Sequence, residues 1–250
     1  MPRWLKVVIA LLVSVGVLAG LAEWGLRLLV PGIVQSTVRS KLDLPKSHPV
    51  EVELGGSALL HALQGGVGDI EVDIPDAPVA DGVVASLTFR ADQVPFSVTT
   101  GDIADATATM FFPADKLGPV VSMLTSGVAD SGKTSGGDLV VGRTVDALGF
   151  QVPIEATLKL AVEDGQVRVE PTGLSAVGFD LNAEQLAAAT GGLLDPLLSS
   201  RLICVSDKLP AGVTLTQIRI TTGGARVDVA LAPDFLSNAE QRAPGTCEQP

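Results

Sequence analysis

The sequence is poor in aromatic residues and contains no tyrosine. Aromatic residues account for 4% of its 250 residues, although hydrophobic residues account for 46%. The apolar content is therefore mainly aliphatic, and the β-branched part of it favours strands. Stacking aromatic side chains supply much of the contact area in carbohydrate-binding grooves, so their scarcity argues against such a groove.

Basic residues are also scarce. The chain has 17 Lys and Arg against 28 Asp and Glu, which gives a net charge of −11. A surface of this sign repels the phosphate backbone of nucleic acids, so nucleic acid is excluded as a partner. It also lacks the clustered Lys and Arg that adsorb to anionic lipid. Any contact with a lipid would therefore have to be apolar and local.

Cysteine and histidine occur only twice each. Two cysteines and two distant histidines are too few for a typical metal site, so no metal is predicted. In an exported chain, Cys204 and Cys247 are expected to form a disulfide that ties the C-terminal tail to the segment after Arg201. Two unpaired thiols are the alternative.

No catalytic constellation is present. Ser57 and His61 are four residues apart on a predicted short helix, but a third group and a Gly-x-Ser-x-Gly motif are missing. Ser57 is better interpreted as a helix cap. The glycine-rich stretch at 65–68 lacks the Lys-Ser/Thr of a phosphate-binding loop. The sequence predicts neither an enzyme nor a bound cofactor.

The N-terminus is the most informative segment that is present. Arg3 and Lys6 precede an apolar run, 7–22, which is typical of an export signal. The run is shorter than the roughly 20 residues that span a bilayer comfortably. Cleavage could follow Ala19 or Ala22, but neither site is Ala-x-Ala, and an uncleaved anchor is the alternative for residues 1–22. In both cases the remainder is exported, to the periplasmic space or the outer face of the cytoplasmic membrane.

Residues 23–44 are predicted to form a juxtamembrane amphipathic helix. Pro31 suits the first position of a helix that runs to about Leu42. Val34, Val38 and Leu42 recur at every fourth residue and would form its apolar face.

Residues 45–250 are predicted to form a single α+β domain, in which a long curved antiparallel sheet wraps against short apolar helices. Ile70, Val72 and Ile74 alternate with acidic residues, and a longer alternation covers 154–162. Asp164-Gly165 predicts a hairpin turn, and a slip in the alternation at Gln217 predicts a bulge. A loop rich in Gly, Ser and Asp, 127–138, would separate two loosely similar halves.

The short helices suggest where a ligand could bind. The chain has few aromatic residues and no polar constellation, so these helices fit the wall of an aliphatic cavity for acyl chains. Transfer of each CH₂ from water to such a wall is favourable by roughly 0.8 kcal/mol. They could instead simply cover one face of the sheet. The candidate lipid-binding residues are Leu59, Leu60, Leu63, Leu117, Val120, Val121, Leu124, Leu186, Leu193, Leu194 and Leu197.

Several motifs together resemble the LmeA family of actinobacterial phospholipid-binding proteins. The resemblance rests on the N-terminal membrane segment, the helix ending at 38–42, the stretch 50–56, the stretch 57–66 and the closing 209–213 with its two strands. It covers nearly all of the chain past the signal.

The resemblance implies a cell-envelope protein with a fold akin to tubular lipid-binding folds. It implies binding of phospholipids such as phosphatidylinositol species, and support of lipomannan-type envelope glycolipid synthesis or lipid trafficking. The expected partners are a phospholipid, the membrane surface and an envelope glycosyltransferase. The alternative is a structural module that docks on an envelope enzyme and holds no lipid.

Overall fold

The computed structural model describes residues 3–80, 82–97, 99–125, 127–147, 150–176, 179–182 and 199–247. Within these ranges the protein is mostly antiparallel β-sheet with a few helices, in agreement with the predicted α+β class. The helices are α1 (Arg3–Lys41), α2 (Ala58–Leu63), α3 (Leu117–Leu124) and α4 (Ala239–Arg242), with 3-10 turns at Ala114–Lys116 and Ser206–Lys208.

The described strands form two antiparallel sheets. The first has the order β1-β2-β3-β4-β12-β11 and the second β10-β8-β7-β6-β5, with β9 also paired to β8. The strands of the first sheet are β1 (Glu51–Leu54), β2 (Gly66–Ala80), β3 (Val83–Pro95), β4 (Thr107–Pro113), β11 (Val213–Thr221) and β12 (Gly224–Leu231). Those of the second are β5 (Ser131–Ser135), β6 (Asp138–Ala147), β7 (Phe150–Glu163), β8 (Gln166–Ala176), β9 (Phe179–Asn182) and β10 (Arg201–Ile203).

Helix α1 is continuous, which corrects the prediction that a helix begins at Pro31. Pro31 lies inside it. Proline is expected to weaken a helix interior because it lacks an N–H and crowds the preceding turn. Here the helix continues, and beyond the proline Val34 and Val38 pack against the core as predicted, whereas Leu42 is 43% exposed. The apolar run and the predicted juxtamembrane helix therefore form one element.

One core cluster lies beneath the end of α1. Ile70, Val72 and Ile74 of β2 are buried there together with Ala91 of β3. Their alternation with acidic residues predicted this face, because successive side chains on a strand point to opposite sides. Phe235 and Leu236, which follow β12, pack against the same cluster.

A second core cluster joins the two sheets. Val83, Ala85 and Phe112 of the first sheet are buried with Leu117 and Val120 of α3. The half-buried side chains of Leu139 and Leu160, from the second sheet, pack against this cluster, as do Met110, Ile218 and Val227 of the first. The aliphatic sides of the two sheets therefore meet here.

The C-terminal hairpin belongs to the first sheet. Strand β12 pairs with β4, so two strands that are more than 100 residues apart in the sequence lie side by side. The register of β11 against β12 shifts between Leu215 and Gln217, which confirms the bulge predicted at Gln217.

The segment 127–138 is not entirely a loop, because it contains the edge strand β5. Its composition disfavours a strand, but pairing with β6 supplies the backbone hydrogen bonds. A Cβ on Gly132 would lie 2.6 Å from Cγ2 of Val121, so a glycine allows α3 to pack closely against this strand.

Two further predictions are confirmed. Asp164 and Gly165 connect β7 to β8 and both have positive φ, 50° and 73°, as a tight two-residue hairpin turn requires. Cys204 and Cys247 form a disulfide between the segment after β10 and the C-terminal tail.

Candidate functional site

The second sheet presents one aliphatic face. Residues paired across an antiparallel ladder point to the same side of the sheet, and β7 pairs Leu158 with Leu139 of β6 and Leu160 with Val169 of β8. Following the register gives a continuous set of apolar side chains on this side: Leu139, Val141, Ile154, Ala156, Leu158, Leu160, Val162, Val167, Val169 and Leu174. We call this set the aliphatic face.

The aliphatic face is only partly covered. Each of its ten side chains retains some exposure to solvent, and Ile154 is 37% exposed. In a closed core such residues would be fully buried, as Ile70 and Val72 are in the first sheet. The second sheet therefore has apolar surface that is accessible to a ligand.

The opposite face of the same sheet carries charged side chains, together with the buried Val140 of β6. Lys133 Nζ donates to Glu155 Oε1 at 2.8 Å, and Arg168 forms an ion pair with Glu163. Lys159 lies between them on β7 and is exposed. Because one face is charged and the other aliphatic, an apolar ligand would bind on the aliphatic face.

This surface suits the binding of a hydrocarbon chain. Its side chains are Val, Leu, Ile and Ala, which offer dispersion contacts and no hydrogen-bonding groups. At one end it continues into the second core cluster through Leu139 and Leu160. A ligand lying along it would be anchored against well-packed residues at that end.

The predicted site residues on α3 divide into two groups. Leu117, Val120 and Val121 are 2%, 8% and 3% exposed, and they pack within the fold. Leu124, at the end of the same helix, is 70% exposed. Contact of these residues with lipid stays a prediction, and the structure gives the first three a role in packing.

The predicted residues on α2 lie in another part of the fold, where the helix packs against β2 and α1. Leu60 and Leu63 are 60% and 77% exposed, and Leu59 is half-buried. The remaining candidates, Leu186, Leu193, Leu194 and Leu197, lie outside the described residues. The structure therefore does not bring the α2 and α3 residues together into one cavity.

A small apolar crevice separates α1 from α2. It is bounded by Leu26 and Val30 of α1, by Ala58 and Ala62 of α2, and by Phe96. Its volume is about 10 Å³, enough for about one water molecule and far too small for an acyl chain.

Ser57 has the capping role that the sequence predicts. Its Oγ accepts a hydrogen bond from the N–H of Leu60, at 3.3 Å, and donates one to Glu23 Oε2 on α1, at 2.9 Å. The Nε2 of His61 instead lies 3.8 Å from Asp69 Oδ2. The hydroxyl is therefore directed to α1 and is not paired with the histidine as a nucleophile would be.

The strands of the second sheet are predicted from the sequence, but their aliphatic face is not among the predicted sites. The signal was present, because the apolar residues of 154–162 alternate over nine positions. Alternation shows that one side is apolar, but it does not show whether another element covers that side.

Comparison with known proteins gives one match. The family model described as LmeA-like phospholipid-binding matches residues 21–230, which include every described strand of both sheets except the last residue of β12. No curated protein and no solved structure matches the chain. The matched region covers more than half of the sequence, so this protein belongs to the LmeA-like phospholipid-binding family.

Proposed function

We propose that this protein binds a phospholipid by placing its acyl chains on the aliphatic face of the second sheet. Membership of a phospholipid-binding family supports the class of ligand. The observation that carries the proposed location is the partial exposure of ten aliphatic side chains on one side of β6, β7 and β8.

The energetics favour this arrangement. Each CH₂ that is fully buried contributes roughly 0.8 kcal/mol, so roughly 8 kcal/mol is an upper limit for ten methylenes lying on this partly open face, before the cost of immobilising the ligand. A charged anchor for the headgroup is not required for useful affinity. The net charge of −11 repels an anionic headgroup, so the apolar contacts of the tails have to outweigh that repulsion.

We further propose that the protein acts in the cell envelope, outside the cytoplasmic membrane, as a lipid-binding protein without catalytic activity. Arg3 and Lys6 before the apolar run, and the disulfide between Cys204 and Cys247, support export. The proposed ligands are phosphatidylinositol-type phospholipids. Their binding would support lipomannan-type glycolipid synthesis or lipid trafficking, with an envelope glycosyltransferase as partner.

A photolabelling experiment tests the proposed site. The full chain is incubated with a phospholipid that carries a diazirine in one acyl chain, irradiated and digested, and the labelled residues are identified by mass spectrometry. We expect label at alternate residues of β7, on Ile154, Leu158 and their neighbours on the aliphatic face. Label spread evenly over both faces, or absent from β6 to β8, would overturn the proposed location.

Two variants on the same strand provide a matched comparison. Ile154→Gln places an amide on the aliphatic face and should reduce labelling, because its polar group would lose hydrogen bonds to water when the chain binds. Lys159→Gln changes the polar face and should leave labelling as in the unmodified protein. Native mass spectrometry of the same samples would show bound phospholipid. A lipid-free mass together with a specific protein partner would favour the scaffolding alternative.

A further inference from the structure

Two charged side chains of α1 bind the corner between β1 and α2. The carboxylate of Glu23 accepts hydrogen bonds from the N–H of Ala58 at 2.9 Å, from the N–H of Leu59 at 2.7 Å and from the hydroxyl of Ser57. It also accepts one from Nε of Arg27, at 2.8 Å. Glu23 therefore satisfies the free N–H groups at the start of α2 from a different element of the chain.

Arg27 completes the joint. Its guanidinium donates to the backbone carbonyl oxygens of Leu54 and Gly56, on the other side of the same corner. The two side chains thus form an ion pair with each other and hydrogen bonds with five backbone or hydroxyl groups of the corner. We call these contacts the Glu23–Arg27 joint.

Apart from this joint, α1 presents exposed apolar side chains over much of its length. Leu18, Leu21, Trp24 and Leu28 are each at least 60% exposed. By length and composition the stretch Gly16–Lys41 of α1 could cross a membrane, but the part after Arg27 packs on the core through Val34 and Val38, so only the part before Glu23 is left for lipid. Its exposed surface is therefore compatible with lipid around it.

The two tryptophans of the chain mark a distance along α1. Trp4 and Trp24 are 20 residues apart on this helix, which corresponds to about 30 Å. The hydrocarbon core of a bilayer is about 30 Å thick, and tryptophan is enriched at both of its interfaces. Arg3 and Lys6 lie at the end that the positive-inside rule assigns to the cytoplasm. Trp24 then lies at the outer interface, next to Glu23 and therefore next to α2.

The outer surface of this corner is apolar. Leu60 and Leu63 of α2 are 60% and 77% exposed, and Phe96, whose N–H donates to the carbonyl oxygen of Gly65 just after α2, is 58% exposed. We call these three residues the α2 patch. Beside the patch, the carboxylate of Glu23 is paired with the guanidinium of Arg27. Approach of the patch to a bilayer therefore does not leave an unpaired charge at Glu23 to be desolvated.

We propose that α1 crosses the membrane and that the α2 patch is seated in the outer surface of the same bilayer, held there by the Glu23–Arg27 joint. The occupant of the patch is the bilayer, since the helix bound to it continues directly into the span. In this arrangement the corner between β1 and α2 is the part of the fold that faces the bilayer. It depends on the proposed export of the domain and is independent of lipid binding by the second sheet.

Fluorescence quenching tests the seating. In the full chain, Trp4 and Trp24 are replaced by Phe, and Leu63→Trp supplies the only indole. The protein is reconstituted into phosphatidylcholine vesicles whose acyl chains are brominated, and emission is compared with that in unbrominated vesicles. The control is Val128→Trp in the same background, because Val128 is similarly exposed, at 66%, but follows α3.

We expect a loss of emission for the Leu63→Trp protein and little loss for the Val128→Trp protein. Adding Glu23→Ala should reduce the quenching at position 63, because the hold of α1 on α2 is lost. Circular dichroism and a urea unfolding curve show whether that variant is folded.

Three results would overturn the proposal: equal quenching at both positions, no quenching at position 63 in the folded protein, or an intact mass showing that the membrane-bound protein begins after residue 22. A specific protein partner that covers position 63 in vesicles would also overturn it. Failure of the lipid-binding proposal would instead appear as loss of photolabel on β7 with quenching at position 63 retained.

Discussion

The imidazole ring of His61 lies directly against Gly68. A Cβ on Gly68 would overlap three ring atoms of His61, and Gly68 itself is buried on β2. The absence of a side chain at this one position on β2 therefore allows α2 to lie close to the sheet, which in turn places Ser57 within reach of Glu23.

Replacement of Gly68 by Ala should destabilise the protein by about 1–3 kcal/mol, the usual cost of forcing extra volume into a packed site. The measurement is urea unfolding of the full chain in detergent. Adding His61→Ala should recover part of the loss, because the ring that the new methyl group meets is then absent. Gly118→Ala in α3 is the control, since its Cβ would meet only a backbone oxygen at 3.4 Å and alanine favours a helix. Equal losses at the two glycines would contradict the steric explanation.

The two ends of α3 should differ in their contribution to stability. Leu117 is 2% exposed, so Leu117→Ala should cost about 2–5 kcal/mol through lost burial and the cavity that it leaves. Leu124 is 70% exposed, and Leu124→Ala should change the unfolding free energy by less than about 0.5 kcal/mol. The two substitutions have the same chemistry on the same helix, so unfolding curves compare them directly. A large loss of unfolding free energy for Leu124→Ala, with none for Leu117→Ala, would contradict the described packing of α3.

Removal of the disulfide should destabilise the fold substantially. Cys204 and Cys247 are 43 residues apart, and on the chain-entropy estimate the cross-link stabilises by about 4 kcal/mol. The double variant Cys204→Ser/Cys247→Ser should therefore unfold at lower denaturant concentration. Reduction of the unmodified protein with dithiothreitol should have the same effect and should not change the double variant. A reductant-induced shift of similar size in both proteins would mean that the bond is not its cause.

The ion pair between Glu71 of β2 and Arg90 of β3 should make a small, pH-dependent contribution to the free energy of unfolding. A hydrogen bond from the guanidinium of Arg90 holds the pKa of Glu71 below its usual value of 4.5. Because the pKa is lower in the folded state, the stabilisation is present above the unfolded value and is lost as the pH falls through the folded value. Both side chains are substantially exposed, so the contribution should be below about 1 kcal/mol.

The measurement is the difference in unfolding free energy between the unmodified protein and Glu71→Gln at a series of pH values. That difference should be largest near neutral pH and should vanish in acid, where the carboxyl is protonated. A difference that stays constant down to low pH would show that the ion pair is not responsible.

Local features of the sequence predicted much of the local structure. The apolar alternation at 70–74 predicted the buried face of β2, Asp164-Gly165 predicted the turn between β7 and β8, and the slip at Gln217 predicted a bulge. These features depend on the φ preferences of a few residues or on the two-residue period of a strand. Both are properties of neighbouring residues, so both can be interpreted without knowledge of the fold.

The prediction that a helix starts at Pro31 was wrong, because it too depended on a local preference alone. Proline at the first position of a helix is common, and the sequence alone does not distinguish that position from an interior one. In the structure the helix passes through Pro31, and its two parts contact different partners. Glu23 and Arg27 bind the β1–α2 corner, and Val34 and Val38 pack on the core. Those contacts lie more than ten residues away along the chain.

The sequence by itself determined that an apolar run precedes the domain, that its strands carry aliphatic side chains on one side, and that its family is a phospholipid-binding one. Only the tertiary structure decided that β12 lies beside β4, where the hydroxyl of Thr109 donates to Asp228 at 2.6 Å, and that Leu117 is buried while Leu124 is exposed. It also decided that the aliphatic face of the second sheet is partly open. A strand's period shows which side is apolar, but pairing partners and coverage arise from contacts between distant segments, which local periodicity does not encode.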